Sequence, residues 1–495
     1  MKRVLLGVFG LIVALLAIMA IRAAMLESKQ PSAGERASID VDIDAVASRF
    51  SAALTYPTIS HRRVEDRQPE VFLEFHDFLE ASFPAVHHTL TRETINELSL
   101  LYRWEGREPN LPPVLLMGHM DVVPVIPGTE EDWQHPPFGG IVADGQIWGR
   151  GALDDKSSLM AILEAVEQLA AAGFQPRRTI YLAFGHDEEV GGPEGARRIA
   201  ETLFQRGIDP FAMILDEGGF IGEGLSSSLD GKVAVIGIAE KGFVSLELIV
   251  ESDGGHSSTP PDHTALGILS KAVTKLEENQ FPARLEGTTE SMLDYIAPEM
   301  PFLAKMVMAN LWLTRPLVTR LMLADSSSAA MVRTTTAVTI MNGGVKENVL
   351  PIEARAVVNH RIIPGETVES VTQRVREVID DERVAVSPLG WTGEPSPVSD
   401  PTSPAFELLG RTLLEVAPDE EITVTPYLVI GGTDAKYYSG RSDSVFRFLP
   451  VSSGSDVMEM VHGTNERISL ASLELAVRYF VQLIRNTDDL ARGES

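Results

Sequence analysis

The feature that most constrains this 495-residue chain is a series of short apolar runs, each ending in charged residues. Val114–Met117, Thr179–Phe184 and Phe211–Leu215 have strand length and almost no polar alternation. That is the pattern of strands buried on both faces of a parallel sheet. Helical stretches lie between them: Ser157–Ala172, stopped by Gly173 and Pro176, and Pro193–Arg206. Strands alternating with helices predict an α/β fold, a parallel-core mixed sheet with helices on both faces. In such sheets ligands gather at the carboxyl ends of the strands.

The pattern changes after Lys241. Phe243–Val250 alternates, Thr264–Glu278 is helical, and Thr334–Met341 and Glu353–Arg361 read as strands. A helix over Glu366–Asp381 and a strand over Arg383–Ser387 complete a βαββαβ order. This suits a small α+β unit, an antiparallel sheet with helices on one face. The α/β character returns from Pro404, with Ala405–Val416, Thr423–Val429 and Leu470–Asn486. One unit is therefore inserted inside another.

Composition bounds the chemistry. The chain is 44% apolar and 23% charged, ordinary for a globular protein. Its net charge of −28, with no basic patch in the sequence, argues against a nucleic-acid partner. It has no cysteine, which excludes disulfides, a thiol nucleophile and Fe–S ligation. Any metal must be held by His, Asp and Glu.

At the N-terminus, Lys2 and Arg3 precede an uncharged run from Val4 to Ile21. Its 18 residues would span roughly 27 Å as a helix, near the thickness of a bilayer core. A cleaved signal peptide is the rival reading, but no Ala-x-Ala-like site lies near Ala20 to Ala24. The basic end should stay cytoplasmic and the rest of the chain should lie outside the cytoplasm. Ser28 to Ser38 is polar and reads as a short tether. A second apolar stretch, Met300–Ala324, is interrupted by Lys305, Arg315, Pro316 and Arg320, so it is not expected to span a membrane. A buried helix pair, an apolar lid and a membrane-skimming helix all remain open for it.

The polar clusters fall at the strand ends. They are Gly118-His119-Met120-Asp121, Gly185-His186-Asp187-Glu188-Glu189 and Asp216-Glu217-Gly218-Gly219. Gly149 to Lys156 opens a helix, and Val461-His462-Gly463-Thr464-Asn465-Glu466 comes late. Singly each is weak, since Asp-Asp before a helix is usually a cap. Together they gather imidazole and carboxylate at successive strand–helix switches. Zinc uses such ligands when thiolate is absent, and a shared carboxylate suggests two metals. His76, His135, His186 and the His87-His88 pair fit no ligand position and read as packing or surface residues.

These motifs resemble the di-zinc peptidases of metallopeptidase family M20. The resemblance rests on Gly118 to Pro124, Gly149 to Lys156, Asp187 to Gly192, Gly254-Gly255-His256-Ser257-Ser258 and His462-Gly463-x-Asn465-Glu466, in that order, and covers about Tyr56 to Ile484. Leu215 to Gly219 and Gly431-Gly432-Thr433-Asp434 resemble the branch of yeast vacuolar Gly-Xaa carboxypeptidase and the animal N-fatty-acyl-amino-acid synthase/hydrolase.

The resemblance implies two Zn2+ per subunit. His119 and Asp216 would bind one, Glu189 and His462 the other, and Asp154 would bridge both, across a cis peptide to Asp155. Asp121 would orient His119, and Glu188 would be the general base. His256 would reach a partner subunit's site and donate to the developing oxyanion. Asn348 would be a lid amide, and Arg361 would clamp the substrate carboxylate. It also implies a homodimer formed through the inserted unit. The expected divisions are a membrane anchor or signal over 1–24, a tether over 25–39, a catalytic unit over 40–239 and 393–495, and an inserted lid and dimerisation unit over 240–392.

The leading functional expectation is a membrane-anchored metallo-exopeptidase or aminoacylase, secreted if the leader is cleaved. It would cleave an amide next to a free carboxylate in a small peptide or N-acyl amino acid. The alternatives are an amidase or desuccinylase acting on a cell-wall precursor, and a non-catalytic binding protein on the same fold. The presence of every ligand and of Glu188 argues against the last.

Overall fold

The computed structural model describes residues 1–223, 229, 231–454 and 457–490. In chain order its principal strands are β1 (Thr91–Ile95), β2 (Ser99–Trp104), β3 (Val114–His119), β4 (Ile180–Gly185), β5 (Met213–Asp216), β6 (Phe220–Glu223) and β7 (Lys232–Glu240), then β8 (Gly242–Glu251), β9 (Thr335–Gly343), β10 (Glu353–Ile362) and β11 (Ala385–Pro388), and finally β12 (Ile422–Val429), β13 (Val445–Arg447) and β14 (Ser452–Ser453). The larger sheet runs β1-β2-β4-β3-β5-β13-β7-β6-β14, with β12 parallel to β7.

Its heart is parallel. β3 pairs in parallel with β4 and β5, and β13 with β5. Every residue of β3, β4 and β5 is buried, which is why their sequences lack polar alternation. His119 lies opposite Gly185 in the register, so both strands end at one level and their following loops open together.

One face carries the helices Lys156–Ala171, Pro404–Val416 and Leu470–Asn486, joined through Leu163, Val166, Leu413, Val477 and Phe480. Removing Leu163 to Ala there should cost about 2–5 kcal/mol. The other face carries Ala196–Gln205, with Ile199 and Leu203 against Ile214 and Tyr438.

The smaller sheet, β9-β10-β8-β11, is antiparallel throughout. β8 alternates buried and half-buried residues, as expected for a sheet covered on one face. Val244, Leu246, Leu248 and Val250 pack beneath the helices Ala265–Glu278 and Val368–Ile379. The βαββαβ order is that expected from the sequence. β7 enters β8 through Lys241 alone, and Phe243 pairs with Arg361. Arg361 is thus carried on the end of the inserted sheet nearest the larger one. The β1–β2 hairpin, β6, β7 and the three-residue β13 were not among the expected strands.

Among the described residues, Lys2–Ala24 is the one helix long and apolar enough to cross a membrane. The segment after it is bonded to the body. The Gln30 side chain donates to the carbonyls of Tyr295 and Val424 and accepts from the Val424 amide. Lys29 pairs with Asp294, Arg36 with Asp419, and the Ala37 amide bonds the Glu415 carbonyl. A polar sequence is held to the body here because its groups find backbone and carboxylate partners.

Candidate metal centre

Each polar cluster is held by a different device. His119 ends β3, and its Nδ1 lies 3.0 Å from the Asp121 carbonyl. The Asp121 carboxylate accepts from the amides of Glu188 (3.1 Å) and Glu189 (3.0 Å). One oxygen also lies 3.3 Å from His119 Nδ1. Asp121 therefore contacts His119 and also fixes the loop bearing both glutamates. That loop is a short 3-10 turn, Glu188–Val190, closed by Gly191 at φ 103°.

Asp154 follows the Gly149-Arg150-Gly151 turn and is joined to Asp155 by a cis peptide. Asp155 caps the Lys156–Ala171 helix through the Ser158 amide. Glu466 is buried and accepts from the amides of Leu153 (2.8 Å) and Asp154 (3.1 Å) and from Arg150 (2.7 Å). Glu466 of the His462 motif thus braces the Asp154 turn, while Asn465 bonds the backbone of Asp132 and Gln134. Lys156, also in a motif, is a buried strut: its ammonium bonds the carbonyls of Ala53 and Tyr56.

Two groups of donors result. His119 Nε2 lies 3.0 Å from Asp154 Oδ1 and 3.3 Å from Glu217 Oε1. His462 Nε2 lies 3.0 Å from Asp154 Oδ2 and 3.1 Å from Glu189 Oε2. Within each group the ligand atoms lie within 4.8 Å of one another, and Asp154 belongs to both. This corrects one sequence expectation. Asp216 does not join His119 and Asp154; Glu217 does. Asp216 is the last residue of β5, and its carboxylate accepts from the Ala435 amide at 2.7 Å.

The site carries excess negative charge. Burial pushes Glu188 and Glu217 well above the carboxylate range, and Asp154 adds to the effect on Glu217. Asp154 and Glu189 raise His462 to about 10. Glu189 Oε1 is buried with no hydrogen-bond partner. Imidazole and carboxylate donors around a shared aspartate, with an orphaned oxygen among them, fit divalent cations such as zinc.

A cavity of about 450 Å³ opens over these groups. Asp154, Glu188, Glu189, Glu217 and His462 line it, as does Arg361 from the inserted sheet. Tyr427, Val429, Leu449 and Val451 form an apolar wall. His256 and Asn348 do not line it. They meet instead in an exposed two-stranded ribbon, where His256 pairs with Val349 and the Ser257 amide bonds the Asn348 carbonyl.

Sequence reasoning missed Lys436. Its ammonium is 3.9 Å from both Glu188 Oε1 and Asp434 Oδ1. Burial works against its charge, but Asp434 and Glu188 hold it above its usual range. It lies over Trp391, which stacks on Phe243, which in turn lies under Arg361. An aromatic pair thus separates Lys436 from Arg361. Asp434 fits only because Gly185 and Gly192 have no Cβ; either would collide with its carboxylate. The only signal in the sequence was Thr433-Asp434, two residues ahead of Lys436. Of the unassigned histidines, His76 bonds the Leu98 carbonyl, His186 bonds Ser99, His87 contacts Tyr102, and His88 is exposed.

Two imidazole–carboxylate clusters at the carboxyl end of a buried parallel sheet, with Arg361 of the inserted sheet lining the same cavity, have the donor chemistry of a metallohydrolase site. The profile of peptidase family M20/M25/M40 matches residues 115–486, and the chain belongs to that family. It is 38% identical over 488 residues to "Probable carboxypeptidase S-like 2" of Dictyostelium discoideum, covering 97% of this chain and 93% of that one. It is 38% identical over 443 residues to the N-fatty-acyl-amino acid synthase/hydrolase PM20D1 of Xenopus tropicalis, covering 89% and 85%. In fold it resembles the M20 metallo-carboxypeptidase Sso-CP2 of Sulfolobus solfataricus, with TM-score 0.64, 16% identity and coverage of 91% and 100%. It also resembles the dinuclear metal-binding peptidase YXEP of Bacillus subtilis, with TM-score 0.54, 13% identity and coverage of 90% and 100%.

Proposed function

We propose that this chain is a di-zinc hydrolase that cleaves an amide next to a free carboxylate, in small peptides or N-acyl amino acids. The observation that carries the reading is that Glu188 and Arg361 line the same cavity as the two donor groups. His119, Glu217 and Asp154 would hold one zinc, and Asp154, Glu189 and His462 the other. When bound there, the metals supply Lewis acidity to the scissile carbonyl and acidify the attacking water. Glu188 takes a proton from that water and returns it to the leaving amine. Lys436 keeps the Glu188 carboxylate aimed into the cavity. Arg361 offers two parallel N–H donors to the substrate carboxylate. The apolar wall favours an acyl group over the diacid of a cell-wall precursor, whose second carboxylate would need another cation. The names of the carboxypeptidase and N-acyl-amino-acid relatives support the same substrate class.

The test is a panel of dipeptides, N-acyl amino acids of graded chain length and their carboxamide analogues, incubated with zinc-loaded protein. Free acids should release amine and the carboxamides should not. Equal turnover of both would sink the reading. Arg361→Ala should raise KM roughly 10–100-fold, the worth of a hydrogen bond to a charged group, and leave kcat nearly unchanged. Arg361→Lys should recover only part of this, because one ammonium cannot bind two oxygens at once.

Residues 240–392 would act as lid and dimerisation unit, with His256 and Asn348 presented to the site of a partner subunit. Their exposed ribbon supports this, since neither reaches the cavity of its own chain. Mixing His256→Ala with Glu188→Gln subunits should restore activity at hybrid sites. No recovery after demonstrated subunit exchange would count against a shared site. The Lys2–Ala24 helix would anchor the protein, with the catalytic body outside the cytoplasm.

A further inference from the structure

Residues 300–324 contain Lys305, Arg315 and Arg320 and no acidic residue, in a chain with 70 acidic and 42 basic side chains. They fold into two helices, Phe302–Met308 and Leu311–Met322. The inward face of the second is satisfied: Leu311 and Val318 pack with Leu285, Leu293 and Val332. Its outward face should then be polar, yet it is apolar. Trp312 is 58% exposed and Leu321 62%, with Leu317 between them and Leu303 of the first helix at 73%. An apolar patch of this kind marks a contact surface.

The N-terminal helix identifies what that surface meets. Its last turn is docked on the first of these helices. Met19 and Ala23 are buried there, Arg22 Nε donates to the Ala309 carbonyl at 3.2 Å, and Asn310 donates to the Met19 carbonyl at 3.1 Å. Residues 4–18 of the same helix stand almost wholly free of the body. The apolar span therefore ends against the segment that carries the exposed leucines, and a bilayer crossed by that span would bring its headgroups to this segment. The pinned Gln30, Lys29 and Arg36 hold the body in that orientation. Arg315 is held by Glu290, while Lys305 and Arg320 remain for phosphate headgroups, and tryptophan suits the interface.

We infer that the Phe302–Met308 and Leu311–Met322 helices lie in the interface of the bilayer that the Lys2–Ala24 helix crosses, so that the body rests on lipid through a second contact. This rests on reading the N-terminal helix as an anchor. The occupant is phospholipid; a second copy of the chain, acidic overall, suits the basic segment through charge but has no continuity with the anchor.

The absence of cysteine makes the test clean. Single variants Leu303→Cys, Leu317→Cys and Leu321→Cys in the full chain are labelled with bimane. They are reconstituted in vesicles of phosphatidylcholine and phosphatidylglycerol. Quenchers are aqueous iodide and lipids carrying doxyl at shallow or deep acyl positions. Leu11→Cys reports the anchor, and Val345→Cys, on a residue 93% exposed, reports water. The three helix labels should be quenched several-fold more by shallow doxyl than by iodide, and Val345→Cys the reverse. Iodide quenching of all three, with deep-doxyl quenching at Leu11→Cys, would overturn the inference and leave the anchor standing. Iodide quenching at Leu11→Cys too would remove both. Shielding of the three labels from both quenchers would mean that another protein surface covers them, which also overturns it.

Discussion

Glu188→Gln should lose about 10⁴-fold or more in turnover while two zinc ions per subunit still bind. The substitution keeps size and shape and removes only the basic carboxylate. None of the proposed ligand atoms belongs to Glu188, and its amide remains bonded to Asp121, so the loop keeps its form. What is lost is a proton acceptor for the water and a proton donor for the amine. General acid–base help is worth roughly 10²–10⁴-fold, and one residue serving both steps puts the loss at the upper end. The burial that raises its pKa suits a group that must give back the proton it takes. Glu189→Gln should behave differently. Its Oε2 lies 3.1 Å from His462 Nε2, and the change should reduce metal content along with turnover. Amine release and atomic emission on the same preparations separate the two. Near-normal turnover in Glu188→Gln, with full zinc but no turnover in Glu189→Gln, would mean that their roles are exchanged.

The parts of this fold legible in the sequence are those where burial leaves no choice of residue. β3, β4 and β5 are covered on both faces, so their sequences are continuous apolar runs. β13 is equally buried but only three residues long, and it contains Arg447. That arginine is tolerated because it meets Glu240 from β7 at 3.2 Å, a pairing that no local pattern reveals. The donor clusters were legible because strand ends concentrate ligands. Lys436 was not, because it reaches Glu188 only when a turn some 250 residues later folds beneath the sheet edge. The N-terminal segment is a different case. Its polarity suggests a short tether, and Gln30 uses that polarity to bond the backbone of β12, a pairing no local pattern reveals. The choice between Asp216 and Glu217 was open to a finer reading. Side chains alternate along a strand, so Asp216 shares a face with Ile214, which packs in the cluster of Ala435 and Tyr438. The carboxylate of Asp216 meets the Ala435 amide on that face, and the next residue is free to turn towards His119.

That alternation makes the second large effect specific. Glu217→Gln should lose one of the two zinc ions and nearly all turnover, because an amide is a poor replacement for an anionic ligand. The loss should exceed the roughly 10–100-fold that removing an outer-shell partner costs. Asp216→Asn should keep both metals. The asparagine carbonyl can still accept from the Ala435 amide, so the change sacrifices charge but not the bond, and stability should shift by about 1 kcal/mol. The contrast does not depend on the identity of the substrate, since metal content is read directly from each purified variant and unfolding confirms that both are folded. If Asp216→Asn lost a zinc while Glu217→Gln retained two, the ligand would be Asp216. The strand end would then have to turn in solution so that the side chain now bonded to Ala435 faces His119, and the geometry described for β5 would be wrong at its last residue.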